Sequence, residues 1–512
     1  MDISDLLTLI GILLAILAFI SEKNREFVFL KFSNFEVCVL LIIILYIHFL
    51  ISYNWWSSQF VSLQKFESDL YPSTPAWAYL FSLSTLTWIT FKIFKSPFPI
   101  SNKTKVLSYY NNLLLKDEAL FLSILIEKYH LNDVLEFLKT KKSIEIKNET
   151  GNFFLDGEEY KNAYMAAMNS DSKIYGELIY NQIINDESFI DNVVNRNPYL
   201  FADIIAVIDS DKVKNEFLVN KFLKILTKER NSQFFREIRL SQRLGYISND
   251  ESPINRKILF SLFNNIKVAS VNQAWRGIAE QAIIEITEES KKEFSVLREN
   301  NSSIKDEDTI WSFRLEVALA YFDIMIRESI IQGASDHMWM FYYRRFLEVV
   351  LKNMAEINPE IHETNIHTLN YDFINTIVFN MLYWVNQSLE NSNNQLIEFI
   401  VECIGQCISL IAVTDKLKLE EKSELLKLVW MHFMTLCPNN DCDEDREQVE
   451  NIVNRSFEMF SEKTNYLNPR EKYEYRKSIL KMWESRDLPV FTGKVKDRAI
   501  RFDSLVIEPL KI

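Results

Sequence analysis

The sequence predicts a mostly α protein: a three-span transmembrane helical anchor followed by a large all-α region, a bundle or irregular solenoid, with one small β-hairpin. Three observations carry that prediction. Three apolar segments with uncharged interiors fall within the first 95 residues. Most of the remainder repeats apolar residues at i, i+3, i+4 and i+7, the period of an amphipathic helix. Only nine glycines occur in 512 residues, which leaves few β-turn sites.

The spans come first in the chain. The first runs from Leu6 to Ser21, the second from Val37 to Tyr53, and the third has Ala76 to Phe91 as its core. A bilayer core needs about 20 apolar residues, so the first is short. It is not read as a signal peptide, because Asp2 and Asp5 stand where Lys or Arg would precede the apolar run and no small-residue cleavage site follows. Trp55 and Trp56 follow the second span, Trp77 opens the third and Trp88 lies near its end. Indole rings favour the head-group level, so these four are assigned to the membrane interface. His48 is the one titratable group at depth; it is read as a neutral ring near the polar end of its helix.

Orientation follows from Lys and Arg. The extreme N-terminus has none, the next loop has Lys23, Arg25 and Lys31, the next only Lys65, and the segment past the third span has Lys92, Lys95, Lys103 and Lys105. Three spans with the N-terminus outside satisfy that alternation and place the large domain in the cytoplasm. The short spans suit a thin membrane, which favours a bacterial inner membrane.

Residues 1–95 form the anchor, 96–250 a helical domain with the hairpin near 143–155, 251–487 a second helical domain and 488–512 an irregular tail. Pro97 and Pro99 end the anchor, and the polar stretch from Ser248 to Pro253 marks the second boundary. The hairpin is read from the alternation Ser143 to Lys147, the turn Asn148 to Gly151 and the short apolar run to Leu155. Phe373 to Leu389 is long and uncharged, but Asn375, Asn380, Asn386 and Gln387 make it a buried helix rather than a fourth span.

Past residue 95 the chain carries 51 Lys and Arg against 63 Asp and Glu. Such an acidic region has no general attraction to phosphate backbones, so no nucleic-acid partner is expected. The scarce glycines exclude both a dinucleotide-binding G-x-G-x-x-G and a Walker A loop. His362 and His367 are five apart, which points the rings to different faces of a helix and fails the H-E-x-x-H spacing. Cys403, Cys407, Cys437 and Cys442 have untypical zinc spacings, and the first pair lies on an apolar face. Asp441, Asp443 and Asp445 open like a calcium loop, but Arg446 and Ile452 stand where Gly and Glu are required. The E-x-K runs at Glu145–Lys147 and Glu159–Lys161 lack the mixed sheet that nuclease chemistry needs. No catalytic, cofactor or metal residue is therefore assigned, and no cofactor is expected.

One run remains. Met338 to Tyr343 is the densest aromatic stretch and is followed by Arg344 and Arg345. Core packing explains the rings; the sharper reading is a partner-binding surface of Trp339, Tyr343, Arg344 and Arg345. In layout the chain is similar to bacterial membrane-anchored sensors and phage-defence effectors, which pair a few spans with a helical cytosolic domain. That layout implies a non-enzymatic antiviral or sensory role. The cytosolic helices would bind a protein partner or assemble as a homo-oligomer, and the anchor would engage membrane lipid. The competing class is a membrane-tethered hydrolase or nuclease whose site is assembled from scattered residues.

Overall fold

The computed structural model describes residues 22–59, 74–139, 172–208, 216–228, 232–244, 257–292, 313–334, 338–354, 368–391, 394–438, 443–461, 467–485 and 493–511. Among these, 86% are helical and none forms a strand, as the all-α expectation requires. The expected first span at 6–21 and the hairpin at 143–155 lie outside the described residues. Contacts divide the chain into two compact units, Met1–Val193 and Val194–Ile512.

The first unit begins with α1 (Glu22–Leu30), α2 (Asn34–Ile51), α3 (Tyr53–Gln59) and α4 (Thr74–Phe94). Ser33 caps α2: its hydroxyl accepts from the Glu36 N–H, and the Glu36 carboxylate accepts from the Ser33 N–H. An apolar run of Val, Leu and Ile then carries the helix to Ile51. α2 and α4 pack side by side through Ile47, Leu50 and Ala78, and Lys92 near the end of α4 pairs with Glu36 at the start of α2. The chain leaves α4 through Pro97 and Pro99 and enters α5 (Lys103–Leu115), α6 (Ala119–Tyr129), α7 (Leu131–Lys139), α8 (Ser172–Ile184) and α9 (Glu187–Arg196), the last of which runs across the unit boundary. α7 and α8 cross closely. A Cβ on Gly176 would lie 2.1 Å from the Asp133 carbonyl oxygen, so only glycine allows the two backbones to meet there.

Among the described residues, two helices are long and apolar enough by length and composition to cross a membrane. One is α2, with mean hydropathy 2.4 and only 11% of the window buried. The other is Leu396–Val413, with mean hydropathy 2.0 and 61% of the window buried within the second unit, the pattern of a core helix. The expected span at 76–91, which lies within α4, is not among them. Its 21 residues include Ser82, Ser84, Thr85, Thr87 and Thr90, which lower its hydropathy.

The second unit holds α10 (Tyr199–Val207), α11 (Glu216–Leu226), α12 (Gln233–Leu244), α13 (Lys257–Phe263), α14 (Ile266–Val271), α15 (Arg276–Glu289) and α16 (Arg314–Ile331), followed by α17 (Phe341–Asn353), α18 (Leu369–Glu390), α19 (Asn394–Val413), α20 (Leu419–Thr435), α21 (Asp443–Met459), α22 (Pro469–Glu484) and α23 (Gly493–Phe502). Two helices are its axes. α16 is buried over nearly its whole length and packs on α12, α15 and α18. α19 packs on α17, α18, α20, α21 and α22.

The tail expected to be irregular from 488 is helical where it is described. α23 is continued by a π-turn at Asp503–Ile507 and a last turn, Glu508–Lys511. Arg498 explains the docking. It is buried, donates to the Met434 and Leu436 carbonyls at 2.8 Å each, and pairs with Glu450 at 2.7 Å. The carbonyl orphans at the end of α20 are thereby satisfied from a distant helix.

Candidate functional site

The arrangement in the first unit with the most unusual electrostatics surrounds Lys31, in the turn between α1 and α2. Its side chain is fully buried. The ammonium nitrogen donates to the Ser96 carbonyl at 2.6 Å. It also stands 3.4 Å from the Tyr129 ring centroid, 4.2 Å from Phe98 and 5.3 Å from Phe27. Those rings touch one another, Phe27 to Phe98 at 5.5 Å and Phe98 to Tyr129 at 5.3 Å, so they close a three-sided cage. Aromatic faces attract a cation, and the carbonyl adds a hydrogen bond. Burial opposes both. It pushes the Lys31 amine down to about 7, helped by repulsion from Lys128 and Lys92. Beside the cage, the Asn102 amide donates to the Leu30 and Phe32 carbonyls at 2.9 and 2.8 Å. The residues on both sides of Lys31 are thus tied to the segment that follows α4.

His130 extends the cluster inward. Its ring stacks on Phe98 at 5.3 Å and meets the edges of Tyr110 and Tyr175 at 5.6 and 5.2 Å. Nδ1 lies 3.3 Å from the Asp133 carboxylate. Nε2 and the hydroxyls of Tyr110 and Tyr175 are buried with no hydrogen-bond partner in the protein. Burial lowers the His130 pKa against the pull of Asp133, and raises both tyrosines. The cluster is thus a joint, an amine held down to about 7 by burial and enclosed by rings, at the point where the apolar helix pair meets the rest of its unit.

The four tryptophans expected at a membrane interface fall at two levels of that pair. Trp55 is exposed and meets Trp56 edge-on at 4.7 Å, just past the end of α2. Trp77 packs against the Ile47–Leu50–Ala78 cluster at the same end, while Trp88 contacts Phe32 at the opposite end, 5.9 Å between centroids. His48 is exposed on α2.

The aromatic–arginine surface is not assembled as expected. Trp339 and Tyr343 lie in the core of the second unit, 1% and 0% exposed, where a partner could not touch them. Trp339 packs on Trp275 at 5.0 Å. The Tyr343 hydroxyl donates to the Leu319 carbonyl at 2.7 Å and accepts from Asn380 at 2.9 Å. Helical spacing had put the rings on one face, and that face points inward. Arg344 donates to Gln406 and the exposed Arg345 pairs with Glu348, at 3.1 and 3.0 Å.

Cys403 and Cys407 are buried and Cys437 is exposed; Cys442, His362 and His367 lie outside the described residues. No group of three or more His, Cys, Asp or Glu side chains that could hold a metal occurs among the described residues. Two small cavities of the second unit carry ionisable groups. One, about 290 Å³ between α19 and α21, is bounded by Arg455 and Glu398, which pair at 2.6 Å. The other, about 270 Å³, is lined by Glu390, His432 and Cys437, with burial pushing His432 down to about 4. In the first unit an open groove of about 830 Å³ between α5 and α8 is lined largely by Asn111, Asn181, Gln182 and Asn185.

Sequence reading missed the cage. Lys31 entered only as a topological charge, because Ser96, Phe98 and Tyr129 lie 65 to 98 positions away and no local motif links them. No protein-family model, curated protein or solved structure matches this chain.

Proposed function

We propose that this is a membrane-anchored, non-enzymatic protein. Its helical cytosolic part binds a protein partner or further copies of itself, and the Lys31 cage passes that event to the spans. The cage is the observation that carries the reading. Ser96, past α4, is bonded to Lys31, ahead of α2, so the start of α2 and the end of α4 lie on one side. If α2 crosses a bilayer, the chain must cross back before Ser96, and α4 is the described helix placed to do so. Its threonines support this: Thr85, Thr87 and Thr90 donate to the carbonyls four residues earlier, which hides the polarity that hydropathy counts. The faces that α2 and α4 leave uncovered are apolar, among them Leu41, Ile42, Leu45, Leu80 and Leu83. With residues 6–21 as a further span, the N-terminus is outside and the large domain cytoplasmic, the layout of a bacterial inner-membrane sensor or defence effector.

Topology reporters test the anchor. A reporter fused after Lys105 and one inserted within residues 60–73 should land on opposite sides of the membrane. Both on one side would overturn the crossing of α4, and with it the role given to the cage.

A further inference from the structure

The level at which α2 begins and α4 ends presents an unusual surface. Phe29, Phe35, Phe94 and Ile100 are 62–77% exposed there. Lys95 and Lys105 are exposed among them. The two segments that meet at this level, 22–36 and 92–105, hold seven Lys and Arg against three Glu, in a chain whose net charge is −13. The contacts already described fix the level itself: Glu36 with Lys92, Phe32 with Trp88, and Asn102 with the carbonyls beside Lys31. Exposed rings beside exposed amines match the two layers of a membrane interface, acyl boundary below and phosphate above.

We propose that this collar is a binding surface for anionic phospholipid, with the four apolar side chains seated at the acyl boundary and Lys95 and Lys105 on the head-group phosphates. The proposal rests on the membrane-anchored reading. It adds lipid selectivity, which anchoring by apolar helices alone does not require. The acidic remainder of the chain would be repelled by the same lipid surface, so the basic collar also holds the protein in register at the interface.

Full-length protein in neutral-detergent micelles is titrated with phosphatidylglycerol or phosphatidylcholine, and bound lipid is counted by native mass spectrometry. Phosphatidylglycerol should bind more tightly. Each exposed lysine near an anionic surface contributes about five-fold, so Lys95→Gln with Lys105→Gln should weaken phosphatidylglycerol by about 25-fold and leave phosphatidylcholine unchanged. High salt should reproduce that loss in the unaltered protein. Both residues are exposed, so the thermal midpoint of the double variant should match the parent and exclude misfolding as the cause. Equal binding of the two lipids, or no loss in the double variant, overturns the collar while leaving the anchor standing. Displacement of the lipid by inorganic phosphate at matched ionic strength also overturns it, in favour of a plain anion site. A chain that stays soluble without detergent and takes up neither lipid overturns the anchor itself.

Discussion

Lys31 should set the response of the first unit to alkali. Its amine titrates at about 7 when folded, against an ordinary 10.5. Between those values the unfolded chain holds a proton that the folded chain has released, so stability rises with pH across the window. Below about 7 both states are protonated and the cost of the buried charge is fully present and constant. His130 acts at the other end. Its folded pKa lies below the ordinary 6.5, so the unfolded chain protonates first and stability falls as pH drops below that point. Thermal midpoints of the full-length protein in neutral detergent, taken across pH, should therefore climb above 7 and decline in acid. Lys31→Met should flatten the alkaline climb and keep the acid decline; an unchanged climb in that variant would remove Lys31 as its source. Arg498 offers a second residue-scale contrast. Arg498→Met leaves two buried carbonyls and half of the Glu450 carboxylate unpaired and should cost about 3–5 kcal/mol. Arg501→Met removes a neighbouring pair with Glu450 in which the arginine is 40% exposed, and should cost under about 1 kcal/mol. Urea titration of the two variants decides it: equal losses would mean that burial is not what distinguishes them.

Among the elements, α7 and α8 carry the sharpest expectation. Alanine in place of a helical glycine ordinarily gains about 1 kcal/mol. Gly176→Ala should do the reverse, because the added methyl would press on the Asp133 carbonyl at 2.1 Å and force the helices apart. A loss of about 2 kcal/mol or more is expected, read as faster proteolysis of the first unit. A stabilised variant would mean that the crossing is looser than described. The elements were legible in sequence to the extent that their signals are local. α2 was readable because its apolar run lies within one segment, and α18 because its asparagines ruled out lipid. α23 was not: Pro489, Phe491 and Gly493 read as irregular chain, and the helix beyond them is held by Arg498 through partners 48 to 64 positions away. The burial of Trp339 and Tyr343 was undecidable for the same reason, since a helical stripe of rings fits a core as well as an interface until α16 and α18 are seen to cover it.

At the scale of the whole molecule, composition and contacts divide the chain differently. Pro97 and Pro99 mark where the apolar helices end, yet Phe98 between them stacks on His130 and closes the Lys31 cage. A fragment starting at Ser101 therefore lacks Phe27, Lys31 and Phe98 and leaves Tyr129 and His130 uncovered. A fragment starting at Asn197, whose side chain accepts from the Tyr199 N–H, retains the helices α10 to α23. Hydrogen exchange should show the second fragment protected as in the full-length protein, and the first with α5–α8 exchanging early. Full protection of α5–α8 in the Ser101 fragment would show that the cage contributes nothing to the unit around it.

On the membrane-anchored reading proposed above, the cage would also impose an order on biogenesis. Lys31 is synthesised before α2, whereas Ser96, Phe98 and Tyr129 follow α4, so the lysine has no enclosure until both helices have been threaded and the chain has returned. A nascent chain in which only one helix inserts would strand Lys31 and Phe27 across the bilayer from Phe98 and Tyr129, with a poorly covered amine on one face and a sticky aromatic cluster on the other. Such a product would expose surface of the kind that chaperones and membrane proteases recognise, and correct threading would cover it. The joint would then act as an inspection point, passing for onward folding those chains that have completed the return journey.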